Sequence, residues 1–233
     1  MKHLSYLLAF IFITSCGSEK TIQLPEISHT EITEVLDISP AYIFYDATKP
    51  DSLELNRKNL ISTTNWLVNV DKRLTLDQVI PQITFLQNKK KNSSHKKEGV
   101  KNYYTCNDTS IKNLGFLEFT DINYKTYNDV DEGFERDTNT YDFNIIMKSR
   151  DSLILDSYMY TKTLTIKTII NKLSSEIESI KTYSKDPDHG FESIVINFSF
   201  NRNLTFQDYI SIKSLFIDFK LESTTISNNE FIY

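Results

Sequence analysis

The sequence predicts an α+β (or α/β) fold of mixed sheets with packed helices, arranged as two similar modules. Runs of strand formers bounded by turn residues give the sheets. One long amphipathic stretch and one capping-box signature give the helices. Short motifs that return in the same order give the doubling. Hydrophobic residues at 39% and charged residues at 24%, with 15 Phe and 13 Tyr, are the composition of a globular chain with a strong aromatic content. The net charge of -5 gives no global attraction to nucleic acid, so a nucleic-acid partner is not expected.

Taken in order, Ala41-Tyr42-Ile43-Phe44-Tyr45 reads as a strand and Lys49-Pro50-Asp51-Ser52 as a turn. Leu53-Glu54-Leu55-Asn56 alternates cleanly and closes a hairpin. Trp66 to Val70 is a third strand. Thr75 and Gln78 then have capping-box spacing, with Leu76, Val79, Ile80, Ile83 and Leu86 on one helical face. Pro81 conflicts with that helix, which is either kinked or begins later than its cap implies. After a lysine-rich stretch, Leu114 to Thr120 is a strand. Tyr124 to Thr140 is acidic and turn-rich and reads as a linker between modules at 39–123 and 141–233.

The order then repeats. Asp142 to Lys148 is a strand, and Asp151-Ser152-Leu153-Ile154-Leu155-Asp156 echoes Asp51-Ser52-Leu53-Glu54-Leu55-Asn56 one hundred residues on. Ile166, Ile169, Ile170, Leu173, Ile177 and Ile180 line one face of a helix spanning about Leu164 to Tyr183. Ser193 to Phe200 is a strand, and Asn201 to Ile210 matches Asp71 to Ile80 at an offset of 130. Thr224 to Tyr233 closes the chain as a strand whose Glu230-Phe231 echoes Glu118-Phe119. The first half has only Arg57 to Asn65 where the second has its long helix, so either it is a degenerate copy or the chain is one domain.

Asp142 to Tyr233, in the order strand, strand, helix, strand, helix, strand, resembles the periplasmic domain of the ExbD and TolR biopolymer-transport family. SIVINFSFNRNLTFQDYI carries the resemblance, with Asn201 at a turn position that the first half fills with Asp71. The resemblance implies a periplasmic interaction surface. The family's N-terminal transmembrane helix and its aspartate have no counterpart here, so proton coupling is not implied.

The N-terminal MKHLSYLLAFIFITSCGSEK has a positive start at Lys2, an apolar run from Leu4 to Ile13 and a cysteine. The run is too short for the roughly twenty residues that span a bilayer. Ile13-Thr14-Ser15-Cys16 resembles the lipobox of bacterial lipoproteins, which implies diacylation at Cys16 and loss of residues 1–15. Gly17 after the cysteine favours the outer membrane, on its periplasmic side or at the cell surface. Residues 16–38, polar and without sustained period, read as a tether.

Chemistry is sparse. His29, His95 and His189 are scattered, with no metal-ligand spacing, and no metal or cofactor is expected. Cys106 has no adjacent histidine or basic activator, and no serine sits in a nucleophile elbow, so no catalytic residue is assigned. Asp129, Asp131 and Glu132 come closest to a calcium loop but lack its alternation of ligands. Two partner surfaces are candidates. One is the basic run Lys89, Lys90, Lys91, Lys96, Lys97 and Lys101, suited to anionic headgroups, acidic cell-wall polymer or an acidic protein. The other is a C-terminal edge strand bearing Ser227, Glu230, Phe231 and Tyr233, suited to strand addition. These readings favour a membrane-anchored, non-catalytic binding or scaffolding protein of the cell envelope. A carrier of a small apolar ligand and an envelope enzyme are the alternatives, separated from it by the kind of pocket present.

Overall fold

Residues 20–95, 97–126, 140–158, 161–183, 191–217 and 219–233 are described by the structure, a computed structural model. They form an α+β fold of two six-stranded mixed sheets and, among the described residues, three helices.

The first sheet holds β1 (Glu26–Ile27), β2 (Ile38–Tyr45), β3 (Leu53–Asn56), β4 (Asn65–Val70), β5 (Asn102–Asp108) and β6 (Asn113–Glu118). Strand β3 folds back antiparallel on β2, and β2, β4 and β5 run parallel. On β5, Tyr103 and Tyr104 pair with β4 on one edge and with β6 on the other. Asn107 and Asp108 pair with β6 as well as with β1, so β1 continues the edge begun by β4. Helix α1 (Leu76–Lys91) follows β4 and buries Leu76, Val79, Ile80, Ile83 and Leu86, the face read from the sequence. It starts at its predicted cap, with Thr75 and Gln78 completing the capping box, and runs through Pro81. The helix is therefore not delayed by the proline, whose missing donor leaves only the Asp77 carbonyl one turn back without its helical partner.

The second sheet has the order β10-β9-β8-β11-β12-β7. Its strands are β7 (Asn123–Thr126), β8 (Thr140–Ser149), β9 (Ser152–Ser157), β10 (Thr161–Leu164), β11 (Ser193–Phe200) and β12 (Thr224–Ile232). Strand β9 is antiparallel to β8, while β8, β11, β12 and β7 are parallel. The two sheets thus share the order hairpin strand, first strand, third strand, last strand, which makes β3 and β9 equivalent, as their sequences suggested. Helix α2 (Ile166–Tyr183) buries Ile169, Leu173, Ile177 and Ile180. Burying each such side chain stabilises by about 1.5–3 kcal/mol, so packing rather than intrinsic helix propensity holds it. Helix α3 (Phe206–Leu215) follows β11 as α1 follows β4.

The match between Asp71–Ile80 and Asn201–Ile210 has a three-dimensional meaning. Asp71 and Asn201 each accept the backbone N–H two residues on, from Arg73 at 3.1 Å and Asn203 at 2.9 Å, turning the chain out of its strand. Thr75 and Thr205 each cap the following helix. The two caps then pair antiparallel. Leu76 N–H donates to Leu204 O at 2.9 Å and Phe206 N–H to Leu74 O at 2.7 Å. Asp77 N–H donates to Arg202 O at 2.9 Å and Gln207 N–H to Lys72 O at 3.2 Å. The first N–H groups of a helix have no partner within it, and here each copy supplies the carbonyls that the other lacks. The copies are joined about a local pseudo-dyad, and one buried hydrophobic cluster runs through both, from Ile27 to Ile232.

Three expectations change. The stretch read as a tether is, from Lys20 onward, a strap laid on the fold. Lys72 N–H donates to Gln23 O at 2.8 Å, β1 pairs with β5, and Ile32 pairs with Phe116. Gln207 holds Glu26 through both its amide groups, Glu26 N–H to Gln207 Oε1 at 2.8 Å and Gln207 Nε2 to Glu26 O at 2.9 Å. Ile32 and Val35 pack on Leu67, Tyr103 and Phe116, covering the outer face of the first sheet. The strap's partners are distant in sequence, so it shows no local period. Next, Tyr124 to Thr126, at the head of the expected linker, are β7 of the second sheet; residues 127–139 lie outside the described residues. Last, the Glu118-Phe119 echo is misplaced, because β12 corresponds to β5 and not to β6.

Candidate functional site

A connected network of buried titratable groups lies between the two sheets. Tyr104 stands on β5, Tyr124 on β7, Tyr209 and Lys213 on α3, and Glu230 on β12. Parallel pairing of β7 with β12 sets Tyr124 beside Glu230, and β11 pairing sets Phe198 on its other side. Tyr209 and Lys213 are one helical turn apart and so reach down onto the same strand.

Tyr104 Oη lies 2.6 Å from Tyr124 Oη, and Tyr124 Oη 3.1 Å from Tyr209 Oη. Tyr209 donates to Glu230 Oε2 at 2.8 Å, and Lys213 Nζ to Glu230 Oε1 at 2.5 Å. An ionised carboxylate only accepts, which fixes the direction of the whole chain: Tyr104 donates to Tyr124, Tyr124 to Tyr209, and Tyr209 to Glu230. Burial, with the charge of Glu230 nearby, pushes all three phenols well above their usual range and keeps them neutral. Around them, Tyr104 stacks on Phe119 at 3.9 Å and meets Phe206 and Tyr209 edge-on, while Tyr209 also meets Phe200. Lys213 lies 4.9 Å over the Phe198 ring. Glu230 is fully buried and the Lys213 side chain is 18% exposed, so the pair is almost wholly withdrawn from water. The repeat shows what replaced it: at the offset of 130, Lys213 corresponds to Ile83, and the strand partner of Val68 is Tyr104 where that of Phe198 is Glu230. The second copy has a buried ion pair where the first has Ile83 and the phenol Tyr104.

Of the edge expected at Ser227, Glu230, Phe231 and Tyr233, strand β12 is covered at Glu230 and Phe231, while Ser227 and Tyr233 flank the covered stretch. The strand lies between β11 and β7, which covers Asn229–Ile232, and Glu230 is turned into the core. A run of nine residues at a chain terminus gives no sign of the strand that flanks it, because β7 comes from a hundred residues earlier.

The basic run is likewise dispersed. Lys90 folds back across Trp66 at 5.0 Å and donates to Lys101 O at 3.0 Å and Asn102 Oδ1 at 2.8 Å. Burial lowers its pKa to about 8. Lys97 pairs with Asp37 at 2.9 Å and Lys101 with Glu118 at 2.7 Å. Lys89 lines an open groove, Lys91 is exposed, and Lys96, like Cys16, lies outside the described residues. Residues this close in sequence fall on the end of α1 and on the loop that leads to β5, and Lys90, Lys97 and Lys101 are engaged with groups of the fold itself.

Asp71, read only as a family turn position, is fully buried and held by Arg73 in a two-pronged contact, both bonds at 2.8 Å. Burial pushes its carboxyl up, but Arg73 and the N–H groups of Arg73 and Gln23 outweigh that and hold it below the usual range. Burial pushes the Cys106 thiol up, with Asp108 beside it adding to the effect, so it is an inert core group. His29 and His95 are exposed; His189 and the acidic triplet at 129, 131 and 132 lie outside the described residues. Among the described residues no three His, Cys, Asp or Glu side chains gather as metal ligands, and no helix is long and apolar enough to cross a membrane.

Two surface grooves stand out. One of about 480 Å³ is lined by Glu54, Leu55, Asn56, Arg57, Lys58 and Lys89. The other, about 320 Å³, lies between the end of α2 and the starts of β11 and β12, and includes Glu178, Lys181, Glu192 and Glu222. Both are open and charged. No family model, no curated protein and no solved structure matches this chain.

Proposed function

We propose that this chain is a lipid-anchored lipoprotein of the cell envelope, attached through Cys16 at the outer membrane, and that it works there as a non-catalytic binding or scaffolding module. The observation that carries this reading is where the ionisable groups go. The buried carboxylates are held by the fold itself, Glu230 by Lys213 and Tyr209, Asp71 by the partly exposed Arg73, Asp208 by the Thr205 cap, and Asp108 through one oxygen by Ser110. Exposed Glu178, Glu192 and Glu222, with Lys181, line an open, charged groove suited to the surface of another macromolecule. One hydrophobic core joins the two sheets, and confinement at one membrane raises the protein's effective concentration for partners there. An envelope protein or a cell-wall polymer is the partner class, with an ExbD- or TolR-type transport complex suggested by the loose sequence resemblance.

The test has two arms on the full chain in its own membranes. Labelled fatty acid should enter the protein and be absent from Cys16→Ala; incorporation that survives the substitution sinks the anchor. Crosslinking of the acylated protein should return the same envelope component through residues of one surface. Crosslinks scattered evenly over the molecule would count against a scaffold.

A further inference from the structure

We propose that the groove bearing Arg57, Lys58 and Lys89 lies against the membrane and takes the phosphate headgroups of anionic lipids. Its orientation rests on acylation at Cys16; its chemistry does not.

The strap places this face. Lys20 Nζ is bound to Asp46 at 3.1 Å and to Glu54, and Glu54 is itself on the wall of the groove. From Lys20 onward the chain is fastened, with Gln23 N–H on Asp71 at 3.2 Å and Lys72 N–H on Gln23 O at 2.8 Å. Cys16 stands four residues before Lys20 in the sequence, and four residues reach at most about 14 Å even when fully extended. A lipid on Cys16 thus brings the bilayer surface to the rim of this groove. A free tether of twenty residues would have left any face equally able to meet it.

The charge suits that position. Lys20, with Lys49 at 4.0 Å, answers the carboxylates of Asp46 and Glu54. Asp51, on the turn before β3, accepts the Leu53 N–H at 3.2 Å. Arg57, Lys58 and Lys89 remain as the basic lining. The Arg57 guanidinium lies 4.7 Å over the Phe85 ring, which is 44% exposed. An aromatic ring beneath a cation is suited to the interface, where one end of the group is apolar and the other wet. The net charge of -5 does not oppose the contact at close range, because carboxylates more than about 8–10 Å away are screened at physiological salt.

The experiment uses the full mature chain as Cys16→Ser, free of lipid, with vesicles of phosphatidylcholine alone or with one part in three phosphatidylglycerol. The protein should sediment with the anionic vesicles only, and high salt should release it. Arg57→Gln, Lys58→Gln and Lys89→Gln together should weaken binding about a hundredfold, at roughly fivefold for each basic residue near an anionic surface. A control of equal charge, Lys112→Gln, Lys148→Gln and Lys220→Gln, should change it by no more than about threefold by the same reckoning. All six positions are exposed or rim the groove, and unchanged circular dichroism checks folding. Equal binding to neutral vesicles, or equal loss in both triple variants, overturns the proposal. Displacement by inorganic phosphate beyond that by chloride at matched ionic strength overturns the membrane in favour of a soluble anion. If fatty-acid labelling fails while vesicle binding holds, the anchor falls and the lipid-binding face stands.

Discussion

Replacing Glu230 by Ala removes the acceptor on which the chain of buried groups converges. Tyr209 loses a bond of 2.8 Å and Lys213 one of 2.5 Å, at a carboxylate that is fully buried. Breaking a buried ion pair from one side costs about 3–5 kcal/mol, because a charge is left without a partner. Lys213 is 18% exposed and recovers part of that from water, which places the cost at about 3 kcal/mol. For a chain of this size each kcal/mol shifts the melting temperature by about 2–4 °C, so the midpoint should fall by roughly 6–12 °C. The double variant Glu230→Leu with Lys213→Met should return to within about 1 kcal/mol of the parent, since apolar side chains of similar volume replace such pairs with little loss. Tyr209 then still has Tyr124 at 3.1 Å. Thermal and denaturant melts followed by circular dichroism measure both. A single variant that loses under 1 kcal/mol would show that Lys213 is not left as a costly unpaired charge, and a double variant as unstable as Glu230→Ala would show that the cost has another origin.

Three further outcomes follow from the geometry. Lys90 is lowered to about 8 by burial, so the unfolded chain binds more protons than the folded one from about pH 8 up to the ordinary lysine range. Stability relative to Lys90→Met should therefore rise from pH 8 to 10, by at most about 2 kcal/mol and less here because the side chain is only partly buried; a flat difference across that window refutes the shift. A fragment beginning at Asp142 should show no cooperative transition, because it lacks β7 with Tyr124 and the Lys72 and Leu74 carbonyls that cap α3; a sharp melt would establish an autonomous second module. A Cβ on Gly115 would meet Thr30 Cγ2 at 2.5 Å, so Gly115→Ala should cost about 1–3 kcal/mol and free the strap to early proteolysis between Lys20 and Ile32, with an unchanged cleavage order as the contrary result.

Some of this protein was written in local order along the chain. The hairpins at Leu53 and Ser152, the face of α1, the apolar stripe of α2 and the two caps at Thr75 and Thr205 are all set by neighbours within a few residues, and side-chain period and capping chemistry report such neighbours directly. The α+β class and the repeat were legible for the same reason. What the strap, β5, β7 and β12 do was decided only in three dimensions. Asn102–Asp108 is buried on both faces and has no alternation to betray it, and its Tyr104 reaches Tyr209 across a hundred residues. The strap bonds to Asp71, Phe116 and Gln207, none of them near it in sequence. Glu230 read as a polar group on a terminal edge, since burial of a carboxylate is set by its partners, and Lys213, Tyr209 and Tyr124 come from other elements. Local pattern reports what a residue prefers beside it, whereas the cost of burying a charge is settled by groups that only the closed fold brings within 3 Å of it.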